Sequence, residues 1–213
     1  MMEENLKKIE IWLGANAPKI MDSLLEPATL TQLMEFEKLI GKTLPEDFKQ
    51  LYLWHNGTKD EKSMNTSFFY GFFFKTIEQI IDEFKDRMET TREMPKEAED
   101  YKLEFVDIGI DMKNVCNPYW LFFAHDYNGI GLFIDLSPTD EGQYGQIIYV
   151  DYEYNAARLV AASTASLVAD FIHDLENDLY SLTEEDFLEV DESIDILNWP
   201  PSEKWSRSDL KKG

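Results

Sequence analysis

The sequence predicts an α+β fold: a twisted antiparallel sheet with helices packed mainly on one side. Three observations predict it. Apolar residues up to Met88 recur at helical spacing. From about Leu103 the pattern changes to short apolar runs separated by turn chemistry. A last helical stripe follows Ser163. Helices, then strands, then a helix is the order expected when helices segregate to one face of an antiparallel sheet.

Residues 1–26 read as a helical extension of one or two short helices, with apolar positions Leu6, Ile9, Ile11, Trp12, Leu13, Ile20, Met21, Leu24 and Leu25 and breaks near Gly14 and Pro18. The next helix opens at Thr29-Leu-Thr-Gln32, a capping box that satisfies orphan backbone N–H groups. It carries Leu33, Phe36, Leu39 and Ile40 inward and stops at Gly41, which accepts positive φ. Thr43-Leu-Pro45 starts another helix with Phe48, Leu51, Tyr52 and Trp54 as its buried stripe. Phe68 to Phe74 reads as an aromatic strand. Thr76-Ile-Glu-Gln79 is a second capping box, opening an amphipathic helix with Ile77, Ile80, Ile81, Phe84 and Met88 at helical spacing. Residues 89–102 read as a charged loop. The expected strands are Leu103–Ile108, Trp120–Ala124, Ile130–Leu136 and Gln146–Asp151, joined as a meander. Ser163 or Thr164 caps the final long helix, which carries Val168, Phe171, Ile172, Leu175 and Leu179. The organisation is therefore an extension (1–26), one α+β domain (27–180) and an acidic C-terminal extension (181–213), of which 180–198 docks as a short helix or strand.

Charge restricts the partners. The 213 residues hold 20 Lys and Arg against 42 Asp and Glu, a net −22. Between Asn114 and Glu203 stands one basic residue, Arg158, against 18 acids. A nucleic-acid binder would carry the opposite sign, and an anionic membrane surface would repel this one. The field favours a basic protein partner and speeds its approach; the same charge also serves solubility. Cys116 stands alone, so no intrachain disulfide forms. The start MMEENLKKIEIWLG lacks a signal-peptide layout, and no apolar run nears the roughly 20 residues of a membrane helix. These features lead us to expect a cytoplasmic protein.

The chemistry-bearing residues give no enzyme pattern. His55, His125 and His173 stand in no metal-ligand spacing. Cys116 with His125-Asp126 has no specific spacing for nucleophilic catalysis, and Cys116 reads better as a small packed hydrophobe. Asp126-Tyr-Asn-Gly129 and Asp135-Leu-Ser-Pro-Thr-Asp140 fail the calcium-loop pattern and read as turns. Gly129-Ile-Gly131 lacks a third glycine and reads as a hairpin turn. We expect no catalytic residue, no metal and no cofactor. Tyr149, Tyr152 and Tyr154 interleave with Asp151 and Glu153. That cluster suits either a partner interface or an outer strand face with its turn.

Three segments resemble the SUKH superfamily, which groups fungal regulators of cell-wall glucan synthesis with bacterial immunity proteins. The first is Leu44-Pro-Glu-Asp-Phe-Lys-Gln-Leu-Tyr-Leu-Trp-His-Asn56-Gly57. The second is Trp120-Leu-Phe-Phe-Ala-His-Asp126-Tyr-Asn-Gly129 through Phe133-Ile-Asp135-Leu-Ser-Pro138, with Phe122 where the family often has Pro. The third is Gly142-Gln-Tyr-Gly145-Gln-Ile-Ile148, then Val160-Ala-Ala-Ser163 and the helix through Asp174-Leu-Glu176. The resemblance runs from about Thr29 to Leu179. It implies an α+β fold and a non-enzymatic binding role. The first expectation is an immunity protein that occludes a basic nuclease- or deaminase-type toxin; the alternative is a regulatory scaffold in cell-wall synthesis or signalling. The expected partner-binding residues are Asp126, Asp135, Asp151, Tyr152, Glu153, Tyr154, Asp170 and Asp174.

Overall fold

The computed structural model describes residues 2–59, 67–93, 102–111, 117–126, 129–186 and 193–198. Helices α1 (Met2–Asn16), α2 (Pro18–Ser23), α3 (Leu30–Ile40) and α4 (Glu46–Trp54) come first. Strand β1 (Phe73–Phe74) leads into α5 (Ile77–Glu93). Then follow β2 (Phe105–Val106), β3 (Trp120–His125), β4 (Gly131–Asp135), β5 (Gln146–Asp151), β6 (Ala156–Ala161) and α6 (Thr164–Glu176). β7 (Ser181–Asp186) and β8 (Ser193–Asn198) form a separate antiparallel hairpin.

The local signals act as the sequence suggests. The Gln32 N–H donates to Thr29 Oγ1 at 3.2 Å, the Thr29 N–H donates back to Gln32 Oε1 at 2.8 Å, and Gly41 ends α3 at φ 67°. The same reciprocal pair links Thr76 and Gln79. The Ser166 N–H donates to Ser163 Oγ at the start of α6. The Thr43 helix begins later than expected, with Pro45 at its N-cap.

The main sheet has strand order β1-β3-β4-β5-β6-β2. All neighbours run antiparallel except β2, which lies parallel to β6. Two expected strands are shorter than read. Of Phe68–Phe74 only Phe73 and Phe74, strand β1, pair into the sheet, and Leu39 and Leu179, read as part of their helices' apolar stripes, are exposed. Tyr70 takes φ 52° inside a 3₁₀ turn, so Phe68, Phe69 and Tyr70 are all buried instead of alternating between faces. Of Leu103–Ile108 only β2 pairs. β6 was not foreseen as a strand.

The two sheet faces hold separate cores. Leu121, Phe123, Leu132, Ile134 and Ile147 face the helices, among Leu33, Phe36, Phe48, Leu51 and Phe171. Leu6, Ile9 and Leu13 of α1 enter this same core, so the N-terminal segment is built into the domain it precedes. Leu197 of β8 is fully buried there, its N–H donating to Ser67 Oγ at 3.0 Å. The opposite face carries Trp120, Phe122, Phe133, Ile148, Val150 and Ala157, covered by Leu103 and Ile110. α5 serves both faces: Ile77, Ile80 and Phe84 join the first core, while its Arg87 lies over Phe133 of the second. Gly131 is required at the β3–β4 crossing, since a Cβ there would stand 2.0 Å from the Ala124 carbonyl oxygen.

Candidate binding surface

At one end of the sheet the polar residues of the second and third motifs close on one another. Asp135 is fully buried; its Oδ1 accepts from the Ser137 N–H at 2.8 Å and its Oδ2 from Gln146 Nε2 at 2.9 Å. Gln146 Nε2 also donates to the Gly109 carbonyl at 3.1 Å. Gly109 and Gly142 lie in backbone contact, where a Cβ on Gly142 would meet the Gly109 oxygen at 2.2 Å. Burial pushes the Asp135 pKa up, and the bonds from Ser137 and Gln146 offset only part of that. Nearby, Asn117 Nδ2 donates to Ser137 Oγ at 2.6 Å, and its Oδ1 accepts from the Tyr119 N–H. Asp126 closes the β3–β4 turn by accepting the Ile130 N–H at 3.0 Å.

The other acids expected at a partner surface divide by burial. Asp151 is buried, with Tyr149 OH donating to Oδ2 at 3.3 Å and the Tyr154 N–H to Oδ1 at 3.0 Å. Asp174 is buried too, accepting from Tyr70 OH at 3.4 Å. Burial behind Phe171, with Asp174 and Asp170 adding to it, pushes the Tyr70 phenol far above its ordinary range. Asp135, Asp151 and Asp174, expected at a partner surface, are thus buried acceptors: Asp135 serves Ser137 and Gln146, Asp151 serves Tyr149 and Tyr154, and Asp174 serves Tyr70. Glu153, Tyr154 and Asp170 are exposed.

Tyr152 is half-buried and holds a network that the sequence did not suggest. Arg87 Nη1 donates to Tyr152 OH at 3.1 Å, and Arg87 Nε pairs with Glu83 at 3.2 Å. Glu83 also binds Lys75. The Lys75 ammonium sits 4.1 Å from the centre of the Phe122 ring, and the Arg87 guanidinium 5.1 Å from that of Phe133. Those two rings stack at 4.2 Å, 3° from parallel. Burial opposes the charge on Arg87, but Tyr152 and Glu83 outweigh it and hold its pKa above the ordinary value. The spacing of Glu83 and Arg87 on α5 was the available signal, and it reads equally as a solvated pair.

His125 lies against Phe73 and Phe122, each ring 5.9 Å away. His55 Nδ1 is 2.6 Å from the Leu25 carbonyl, and Nε2 faces Glu10 at 3.4 Å. Cys116 lies outside the described residues, as do the 94–101 part of the expected loop and the tail from 199. Among the described residues no group of three His, Cys, Asp or Glu side chains is placed to hold a metal ion, and no helix is long and apolar enough to cross a membrane. Two surface grooves are present. One, of about 440 Å³, lies between α1 and α4 over Leu6, Leu53 and Trp54; the other, of about 520 Å³, lies between α3 and α5 over Ile40, Phe84 and Met88.

Fold and site together define an α+β protein whose motif carboxylates and amides build the sheet ends. The sequence model of the SMI1/KNR4 family (SUKH-1) matches residues 27–170, and the chain belongs to that family. It is 27% identical to the cell wall biosynthesis/cell cycle regulator smi1 of Schizosaccharomyces pombe, over 99% of this chain and 42% of that protein. It is 23% identical to a glucan synthesis regulatory protein of Neurospora crassa, over 97% of this chain and 46% of the relative. It is 21% identical to the cell wall assembly regulator SMI1 of Saccharomyces cerevisiae, over 80% and 39%. The chain thus spans less than half the length of these relatives. All three are named as regulators.

Proposed function

We propose that this chain is a non-enzymatic protein-binding module with a regulatory role in cell-wall synthesis, the role that its fungal relatives' names describe. One observation carries the binding part of the reading. The polar residues of the family-like motifs, Asp126, Asp135 and Gln146, are engaged in hydrogen bonds inside the fold. The shared signature therefore supports a scaffold, and the activity belongs to surface side chains. The surface acids support a basic partner, since a field of one sign accelerates encounter with the other.

The test is deletion of the gene in the organism that carries it. Loss should change sensitivity to a wall-binding dye and the rate of glucan or other wall-polymer incorporation, and the wild-type gene should restore both. Unchanged wall measurements would end the wall assignment. The acid excess also suits an immunity protein that covers a basic toxin. In that case a toxin domain encoded beside the gene would kill cells, and co-expression of this chain would rescue them.

A further inference from the structure

The groove between α3 and α5 comes from a difference in helix length. Gln32 Nε2 donates to Glu78 Oε1 at 2.6 Å and ties the two helices near their N-terminal ends. They run on side by side until α3 stops at Gly41, whereas α5 continues to Glu93. Ile40 is eight residues beyond Gln32 and Glu93 fifteen beyond Glu78, so α5 outruns α3 by about two turns. Met88 and Arg92 stand one turn apart on that overhang. The groove beside them is bounded by Leu39 and Ile40 at the end of α3 and by Tyr119 just before β3.

The floor is apolar and incompletely covered. Ile40 and Phe84 are buried, Met88 and Tyr119 are half-buried, and Leu39 is 45% exposed. The lining carries two cations, Lys85 and Arg92, and one carboxylate, Glu89. Lys42 adds a third cation, its ammonium 4.4 Å from the centre of the Tyr119 ring. Lys85 pairs with Asp82 at 3.2 Å, but both side chains are exposed and such a pair is weak. Among the described residues no carboxylate pairs with Lys42 or Arg92. These cations stand on a chain of net charge −22, whose field as a whole repels acids. An apolar floor with a cationic rim is therefore a local exception, and charge complementarity there selects an acidic partner.

We infer that the α3–α5 groove receives an acidic amphipathic helix of a partner protein. The helix continues the line of α3 along the overhanging end of α5. Its apolar stripe, at i, i+4 and i+7, lies on Leu39, Met88 and Tyr119, and its carboxylates meet Lys42, Lys85 and Arg92. Apolar contact supplies affinity, and the cations turn away a basic helix of the same shape. The inference goes beyond the proposed function. It concerns a second surface, opposite in sign to the acids that favour a basic partner, and it does not depend on the wall assignment.

The probe is an acetylated, amidated peptide of about 15 residues, the length at which isolated helices begin to hold, with leucine along one face and glutamate elsewhere. It is titrated into the isotope-labelled full chain at about 0.15 M salt, where a Debye length of about 8 Å limits repulsion by distant acids. Saturable amide shifts should concentrate in 39–42, 84–92 and 119. A counterpart with lysine for glutamate, though drawn to acids elsewhere, should leave those amides unmoved. A central proline breaks the peptide helix and should weaken binding by about tenfold or more. Leu39→Gln should weaken it on the same scale, and so should Lys85→Gln combined with Arg92→Gln. All three positions are exposed, so Tm should stay unchanged; if Leu39→Gln lowers it, the Lys85 and Arg92 pair decides. Shifts centred elsewhere, equal affinity of the proline peptide, or the same amides moved by the lysine peptide would overturn the inference. So would unaltered binding by the charge variant, or no saturable shift at millimolar peptide.

Discussion

On the helix-covered face of the main sheet, Phe123 packs edge-on against Phe48 and Phe69. On the other face, its neighbour Phe122 and the stacked Phe133 receive an ammonium and a guanidinium instead. The first face gains from apolar burial, roughly 25 cal/mol per Å². The second gains about 0.5–2 kcal/mol per cation over a ring, against the cost of desolvating Lys75, Glu83 and Arg87. The charged face therefore adds little to net stability. What it adds is position: Arg87 ties α5 to Tyr152 in the β5–β6 turn, and one rotation of the helix would break the tie.

The comparison predicts unequal costs. Phe123→Ala should destabilise by about 3–5 kcal/mol, the range for a fully buried aromatic cut back to alanine, measured by denaturant unfolding. Arg87→Met should cost less, about 1–2 kcal/mol, because the methionine keeps apolar cover over Phe133 and Glu83 keeps Lys75. A cycle with Tyr152→Phe should give a coupling of at least about 0.5 kcal/mol. An Arg87→Met variant as unstable as Phe123→Ala would break the distinction between the faces.

Asp135 sharpens the comparison through pH. Its folded pKa lies above the ordinary 3.8 because burial outweighs its hydrogen bonds. A group with a raised folded pKa contributes stability that is fully present below the unfolded pKa and lost as pH rises through the folded one. Wild type should therefore gain stability relative to Asp135→Asn as pH falls from neutral toward 3.8. Paired urea titrations across that window measure the difference. A gap that shrinks on acidification would contradict the assigned direction.

Much of the fold was legible because its signals are local. The Thr29, Thr76 and Ser163 caps are short-range chemistry, and each forms as the sequence suggests. β6 was not legible, since Ala156-Ala-Arg-Leu-Val-Ala161 is poor in strand-favouring residues and owes its extension to pairing with β5 and β2. Tyr70 escaped for a related reason: a left-handed aromatic is set by the packing around it, not by its neighbours in sequence. The surface acids were hardest to read. Asp135 and Glu153 look alike in a string of letters, and Gln146, which holds Asp135 inside, stands eleven residues away. Charge counting overstated the acid available to a partner, because Asp135, Asp151 and Asp174 lie inside the fold.

That division sets the smallest effect on stability and the cleanest test of the charge itself. Reversal at Asp151 or Asp174 would bury a lysine beside Tyr149 or Tyr70, and any loss of binding would follow from lost folding. Glu153→Lys with Asp170→Lys changes exposed positions, so the pair should leave stability within about 0.5 kcal/mol of wild type. It removes two negative charges and adds two positive ones, shifting the net charge by four units. Association with a basic octapeptide of alternating lysine and valine should therefore slow in low salt, and the gap to wild type should close as ionic strength rises and the Debye length falls toward about 3 Å near 1 M. Stopped-flow association rates at several salt concentrations measure this directly. Equal rates in low salt would mean that the surface acids at these two positions do not steer the encounter with a basic partner.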